Sequence, residues 1–386
     1  TAAPAGLTGP LHLHPRVVEA RAVGEIGQGV RGEGVRGEPP GEVPAPRPLR
    51  HRDDPGPQRG VEARMLPDTP YAHTLLDISG LQRSFSVSAI RRNAALPLRL
   101  VRSLRAARRL LRELRPGVVV NVGGYASFPA TWAARRLGVP YVVVSYDRRP
   151  GLVSRMMAKR AAACAVAFPG SQLPHAEVTG APVRQELIQL DRAAQRAEAR
   201  VALGIPPDRF LVAVVCGSLG AAAVNAVVAE AVKRWSVRSD LAVFHAVGDR
   251  FLSAAAASRD GAEGILYSVV GFEARMAAVY AAADVMVTRA GAGTIAELAT
   301  VGVPAIVVPW PGAAENHQLD NGRELADLGA AVLVEERDFT VDRLITEVES
   351  LQAEPSRLRS IADAARSAGA DHRSGRLVRL IERVAT

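Results

Sequence analysis

Residues 284–297 read Asp284-Val285-Met286-Val287-Thr288-Arg289-Ala290-Gly291-Ala292-Gly293-Thr294-Ile295-Ala296-Glu297. Asp284–Val287 predicts a short buried strand, the glycines a turn, and Thr294–Val301 a helix. Strand, glycine turn and helix form the unit from which parallel sheets are built. The unit recurs upstream, where Phe210–Val215 leads into Gly217-Ser218-Leu219-Gly220 and a helix through Val232. Leu241–Val247, Ile265–Val270, Ala305–Val308 and Ala331–Val334 read as further strands, with helices near Ala277–Ala283 and Asn316–Leu328. An earlier series starts with Val118–Val122, which ends in Gly123-Gly124. It continues with a helix over Pro129–Leu137 and strands at Tyr141–Val144 and Ala163–Phe168, and the rhythm restarts after Pro182. Continuous apolar strands separated by helices imply parallel sheets covered on both faces. Two such series predict two Rossmann-like, doubly wound α/β domains facing a cleft, with ligands at the carboxyl ends of the strands.

Composition excludes several classes. Hydrophobic residues make up 48% of the 386, too many for global disorder. The two cysteines, Cys164 and Cys216, lie far apart in apolar runs, which excludes a disulfide scaffold and a structural zinc site. No run is long and apolar enough to predict a transmembrane helix, and no signal peptide is legible at the start. The net charge of +9 rests almost wholly on arginine, Lys159 and Lys233 being the only lysines. GC-rich coding explains that bias, and so does a surface that meets anions. Aromatics at 4% leave few stacking platforms, so no nucleic-acid partner is expected.

The first 58 residues break the pattern. Up to position 59 there is no Phe, Trp, Tyr or Lys, and ten of the 26 prolines fall there. No period survives between Gly27 and Pro57, and such a segment buries too little apolar surface to offset its ordering entropy. It reads as a disordered extension or as a reading-frame error. Thr1-Ala2-Ala3-Pro4-Ala5-Gly6 can be encoded by codons that, in a shifted frame, give Gly-Gly-Thr-Ser-Gly, a phosphate-loop sequence.

Four loops carry candidate chemistry. Glycines at Gly217 and Gly220 let a backbone approach a phosphate at a helix N-terminus, although a tight strand–helix turn also wants glycine. In the quoted stretch, Gly291, Ala292 and Thr294 would face a phosphate. Glu297, one turn on, suits a sugar diol, or else Thr294 is a cap and Glu297 a solvated side chain. After Pro309-Trp310-Pro311-Gly312 come Glu315, Asn316, His317, Gln318 and Asn321, a polar set suited to sugar hydroxyls, in which His317 is a base or a surface helix residue. In the other half, Gly123-Gly124-Tyr125-Ala126-Ser127 could bind a second phosphorylated ligand. Glycine loops in both halves point to a two-substrate transferase. Finally, Ile90–Leu114 is a basic amphipathic stretch whose start or kink is marked by Pro97. It suits an anionic membrane surface or is a solvated helix face.

These motifs together resemble the MurG family, the UDP-N-acetylglucosamine:lipid I N-acetylglucosaminyltransferases of peptidoglycan synthesis. The carriers are Arg59–Arg64, Val122–Ser127, Thr179–Arg184, Gly217–Gly220, Arg289–Glu297 and His317-Gln318, so the resemblance runs from about Arg59 to the C-terminus. It implies the GT-B fold, with an acceptor domain over 59–182, a UDP-GlcNAc domain over 183–364, and a last helix within 365–386 that packs back on the first domain. It implies inverting transfer of GlcNAc to the 4-hydroxyl of undecaprenyl-diphospho-MurNAc-pentapeptide, with no cofactor and no metal, at the cytoplasmic side of the cell membrane. Arg184, Gly217, Ser218, Gly220, Gly291, Ala292, Thr294, Glu297, His317 and Gln318 would line the donor site, with the uracil edge along Gly271–Met276. Gly123, Gly124, Tyr125 and Ser127 would face the acceptor.

The chain also departs from the family. The N-terminal Gly-Gly-Thr-x-Gly-His loop is absent, only loosely echoed by His12 before Pro15, and the first strand and helix are expected to go with it. The family's His-Glu-Gln-Asn appears as Val144-Ser145-Tyr146-Asp147, which makes Asp147 the candidate base. Ala290 stands where the family has Ser. Two other readings follow from these departures: a non-catalytic UDP-GlcNAc-binding remnant, or another GT-B enzyme such as a UDP-GlcNAc 2-epimerase. Sequencing the coding DNA separates the two accounts of residues 1–58. A frame error requires an open alternative frame that continues the α/β pattern; stop codons in that frame leave the extension as the account.

Overall fold

The computed structural model describes residues 17–20, 96–217, 220–253 and 264–386. Ser218, most of residues 1–58, and the Arg59–Arg64 motif lie outside them.

Eleven strands form two wholly parallel sheets. The first holds β1 (Val17–Ala20), β2 (Val118–Asn121), β3 (Tyr141–Ser145), β4 (Ala163–Val166) and β5 (Ala176–Val178), side by side in chain order. Helices α1 (Leu96–Leu114), α2 (Phe128–Leu137) and α3 (Leu152–Ala158) connect them. Strands in simple order with right-handed crossovers put every connecting helix on one face. The packing agrees. Val119, Tyr141, Val143, Cys164 and Val166 face Ala107 and Leu111 of α1, Ala133 and Ala134 of α2, and Met157 of α3. Their alternating neighbours, Val118, Val120, Val142, Val144, Ala163 and Ala165, point the other way. That second face is covered by a helix from the far end of the chain, α12 (Arg376–Ala385), through Leu380 and Ile381 with Leu377 and Val384 beside them. The spacing i, i+3, i+4, i+7 makes one apolar stripe, and Arg376, Arg379 and Arg383 take the other side. Arg383 pairs with Glu177 of β5.

Two strands were not legible. Val17–Ala20 lies inside the stretch read as outside the α/β pattern, yet it pairs in parallel register with Val118–Asn121 at the sheet edge. It places a strand in the sheet expected to lose one. Ala176–Val178 is a short exposed edge strand beside β4, with too little apolar content to stand out. The fourth strand ends at Val166, short of the expected Phe168.

The second sheet runs β11-β10-β9-β6-β7-β8. Its strands are β6 (Phe210–Val215), β7 (Leu241–Ala246), β8 (Leu266–Val270), β9 (Val285–Thr288), β10 (Ala305–Val307) and β11 (Val332–Leu333). This is the doubly wound order, and the chain reverses direction between β6 and β9. The helices are α4 (Gln185–Ile188), α5 (Arg192–Leu203), α6 (Ala222–Arg234), α7 (Met276–Ala282), α8 (Ala292–Val301), α9 (His317–Asp327), α10 (Val341–Ala353) and α11 (Pro355–Ala368). Leu211, Ala213 and Met286 face one core with α7 and α8, whereas Val212, Val214 and Val287 face the other with α6 and α10. Helix α11 runs through the boundary expected at 364–365.

Where the chain passes between the sheets, a buried histidine fastens it. His372 Nδ1 accepts the Ala181 N–H at 2.9 Å. Burial pushes its imidazolium down to about 4, so the ring is the neutral acceptor this bond needs. Gly180 lies against the same turn: a Cβ there would stand 2.5 Å from the Asp371 carbonyl carbon.

Leu380 is 2% exposed and belongs to the only helix seen on its face of the first sheet among the described residues. Leu380→Ala should cost about 3 kcal/mol in denaturant unfolding, whereas Arg379→Ala on the opposite side of α12 should change stability little.

Candidate active site

The reversal between β6 and β9 opens a crevice at the carboxyl ends of those strands, and two sequence-singled loops line it. The β6 loop runs from Cys216 to Gly220, and Gly220 N–H closes the turn on Gly217 O at 3.0 Å. Gly220 has φ +63, and a Cβ there would stand 1.7 Å from Val247 O, so only glycine fits. The β9 loop is anchored at both ends. Thr288 Oγ1 donates to Val215 O at 2.6 Å, tying the two strand ends together. Arg289 turns away from the crevice, pairs with Glu336 and donates to Val308 O at 3.1 Å. Arg289 is therefore a brace for the loop, not a ligand group. Gly291 caps α8, and Ala292, Gly293 and Thr294 form the helix's first turn facing open space. The starts of α6 and α8 both follow the carboxyl ends of adjacent strands, β6 and β9, and helix starts carry N–H groups without intrahelical partners.

Glu297 sits one turn along α8. Its Oε2 accepts the Tyr280 hydroxyl at 2.8 Å, and Arg184 Nε lies 3.4 Å from its Oε1. Burial, then Glu297, pushes the Tyr280 hydroxyl well above its ordinary range, so Tyr280 stays a donor. Arg184 also pairs with Glu186 at 2.8 Å. Arg184 and Glu297 are thus brought together, and Tyr280, which sequence reading missed, orients the carboxylate. Its only sequence signal was a tyrosine amid the alanines of α7.

Beyond β10, the Trp310–Asn316 loop enters α9 through Glu315 and Asn316, both left-handed at φ 52 and 55. Such backbone costs about 1–3 kcal/mol per residue and persists where the surroundings impose it. His317 Nδ1 donates to Ala314 O at 2.7 Å, so the ring's Nε2 is the atom left for a ligand. Gln318 Oε1 accepts the Trp310 N–H at 2.9 Å, leaving its NH2 group to point outward.

The two halves meet at Asn321, which is fully buried. Its Nδ2 donates to Asp147 Oδ1 at 3.0 Å and to Ala290 O at 3.3 Å, and its Oδ1 accepts the Arg148 N–H at 2.8 Å. One carboxamide therefore joins the segment after β3 to the β9 loop. Ion pairs surround it: Arg148 Nε with Glu324 at 3.0 Å, Arg149 Nε with Asp320 at 2.5 Å without hydrogen-bond alignment, and Arg155 with Glu315 at 3.1 Å. Asp147, the candidate base, is brought beside the β9 loop.

The loop after β2 is built differently from its sequence reading. Asn121 is fully buried, and its Oδ1 accepts the Gly123 N–H at 2.8 Å and the Ser127 hydroxyl at 3.0 Å; its Nδ2 donates to Thr131 at 2.7 Å. The Gly123 amide is therefore occupied, and Ser127, fully buried, holds the loop from inside. Gly124 and Tyr125 are the exposed members of the expected acceptor set. Asn121 was missed because it looks like the polar end of an apolar strand. Among the described residues no cluster of three or more His, Cys, Asp or Glu side chains could hold a metal.

Comparison with known proteins bears on this architecture. Residues 56–166 match the glycosyltransferase family 28 N-terminal domain, and residues 211–375 its C-terminal domain. The UDP-N-acetylglucosamine--N-acetylmuramyl-(pentapeptide) pyrophosphoryl-undecaprenol N-acetylglucosamine transferase of Clavibacter michiganensis is 39% identical over 329 residues, 84% of this chain and 86% of that one. The chain belongs to the MurG family. The relative of the same name from a Nocardioides strain is 38% identical over 84% of this chain and 87% of its own. The crystal structure of Acinetobacter baumannii MurG superposes with a TM-score of 0.63 at 26% identity, over 84% of this chain and 88% of that one. A structure titled as a UDP-N-acetylglucosamine 2-epimerase from Listeria monocytogenes shares the fold alone, at 15% identity and TM-score 0.56. The facing parallel sheets of this MurG-family chain are the GT-B fold.

Gly293 borders open space, whereas Gly220 is packed against Val247 O. A Cβ on Gly293 meets nothing within 4 Å, so Gly293→Ala should raise helix stability by about 0.5–1 kcal/mol while lowering UDP affinity. Gly220→Ala should lose both. Thermal unfolding and UDP titration of the two variants measure this.

Proposed function

We propose that this chain transfers GlcNAc from UDP-GlcNAc to the 4-hydroxyl of undecaprenyl-diphospho-MurNAc-pentapeptide. The observation that carries the reading is the Asn321 junction, which brings Asp147 to within one carboxamide of the β9 loop. The family membership supports the same reaction.

In this reading the donor diphosphate lies between the Gly217–Gly220 turn and the first turn of α8, where helix N-termini stabilise the charge that develops on departing UDP. Glu297, oriented by Tyr280, accepts from ribose hydroxyls. Arg184 stands over that carboxylate and the donor, and His317 and Gln318 meet the sugar. The acceptor 4-hydroxyl attacks the anomeric carbon from the face opposite UDP. The bond from that carbon to the β-phosphate oxygen breaks, and its electron pair leaves with UDP. The hydroxyl proton passes to Asp147, whose Oδ1 is held by Asn321 so that Oδ2 faces the acceptor. Gly124 and Tyr125 contact the acceptor head group. With Gly123 N–H occupied, this loop offers the acceptor diphosphate fewer amides than its sequence suggests.

Helix α1 supplies the membrane contact in this reading. Ser103, Ala107 and Leu111 form its buried side, while Leu98, Leu100 and Val101 are exposed among Arg102, Arg105, Arg108 and Arg112. A basic helix with exposed apolar residues suits an anionic surface. No helix among the described residues is long and apolar enough to cross a membrane. In this reading the basic face of α1 holds the enzyme peripherally at the membrane's cytoplasmic face.

The test is GlcNAc transfer from UDP-GlcNAc to a lipid I analogue. Asp147→Asn should lower kcat by about 10²–10⁴ with UDP-GlcNAc binding unchanged; an unaffected kcat places the base elsewhere. Binding of UDP-GlcNAc without transfer by the unaltered chain overturns the reaction and leaves a nucleotide-sugar-binding protein.

A further inference from the structure

Behind the Gly217–Gly220 turn lies a polar chain that the transfer reaction does not use directly. His245 on β7 is 1% exposed amid Val243, Phe244 and Ala246. Its Nδ1 stands 3.0 Å from the Tyr267 hydroxyl of β8, and its Nε2 stands 3.0 Å from Asn225 Oδ1 of α6. Asn225 Nδ2 in turn donates to Val247 O at 2.9 Å.

That last bond assigns the direction of the others. With Nδ2 on a carbonyl, Asn225 presents its oxygen to the imidazole, which must donate Nε2–H. Nδ1 is then bare and accepts from the Tyr267 O–H. A single sequence of donors runs from Tyr267 through His245 and Asn225 to Val247. Burial pushes the His245 imidazolium down to about 4, so the ring is neutral at ordinary pH and its tautomer is set by its neighbours.

The chain ends at a meaningful place. Val247 O is the atom against which Gly220 is packed, with a would-be Cβ 1.7 Å away. Asn225 belongs to the first turn of α6, where its own N–H bonds Ala221 O at 2.8 Å. The residue that His245 grips therefore ties the helix start to the carbonyl beneath the glycine turn. An apolar side chain at 245 would fill the same space, but it would take this donor away from the half-buried Asn225 Oδ1.

We propose that His245 is a positioning residue for the donor: acting through Asn225, it holds the first turn of α6 and the Gly217–Gly220 turn in the register that binds a nucleotide diphosphate. The inference rests on the donor site proposed above.

Its test is UDP titration, with thermal unfolding and steady-state kinetics alongside. His245→Leu should weaken UDP binding about tenfold, the loss of one such bond. His245→Gln, whose amide can still donate toward Asn225, should recover to within about threefold of the native affinity. The KM for UDP-GlcNAc should rise while kcat and the acceptor KM stay near native, a split that general destabilisation does not produce. Tyr267→Phe removes the hydroxyl that donates to Nδ1 and loosens the ring's hold on its Nε2–H tautomer. It should weaken UDP binding about threefold with little change in melting temperature, and it decides the matter if His245→Leu does not fold. Native UDP affinity in a folded His245→Leu or in Tyr267→Phe overturns the proposal, as does a Gln variant no better than Leu. Absence of UDP binding by the unaltered chain is a different outcome, because it removes the donor site itself.

Discussion

The first sheet is constrained by its own topology. Parallel strands laid down in chain order, joined by right-handed crossovers, place all their helices on one side. The other side, six alternating residues of β2, β3 and β4, would meet water. Helix α12 removes that exposure, although it is made only after the whole second sheet. Much else follows from that return path. The chain must pass the inter-sheet linker a second time, and it does so at Asp371–Arg373, where His372 and Gly180 lock the crossing. The linker is held, the carboxyl ends of the two sheets face each other, and the crevice between β6 and β9 opens toward Asp147.

Across that opening the contacts are polar rather than apolar. Asn321 makes three hydrogen bonds to two different loops, and three arginines after β3 meet carboxylates on or beside α9. Partly exposed ion pairs hold weakly and orient well. Such a joint suits halves that must admit two substrates and release two products, because it can part without exposing a hydrophobic core. The buried Asn321 gives the joint one defined register, since its carboxamide fits only one arrangement of donors and acceptors.

The alternation of strand and helix, the doubly wound second sheet and its glycine loops were legible because each is local: an apolar run, then glycine, then a helical face. The return of α12 was expected only from the family resemblance, since no local signal says which sheet an amphipathic helix will cover. Val17–Ala20 was hidden by its proline- and glycine-rich surroundings, and Ala176–Val178 by its exposure. At the site, Glu297, Arg184 and the glycines stood out by motif. Asn121, Tyr280, Asn225 and His245 did not, because each acts by pairing with a residue distant in sequence or on a neighbouring element. For Gly123 and Ser127 the sequence did not show the bonds already made: Asn121, two residues before the glycine and six before the serine, takes the amide and the hydroxyl. A glycine loop announces backbone freedom, but its sequence does not say which of its N–H groups are already bonded.

The helix that covers the first sheet also sets the order in which the molecule can be completed during synthesis. Strands β2 to β4 leave the ribosome early, but one of their faces stays bare until residues 376–385 follow. The first half is thus begun early and completed late, because its covering helix is made only after the whole second sheet. Loss of α12 would strip the first half and leave the second half's own packing intact, so the two halves differ in how they fail.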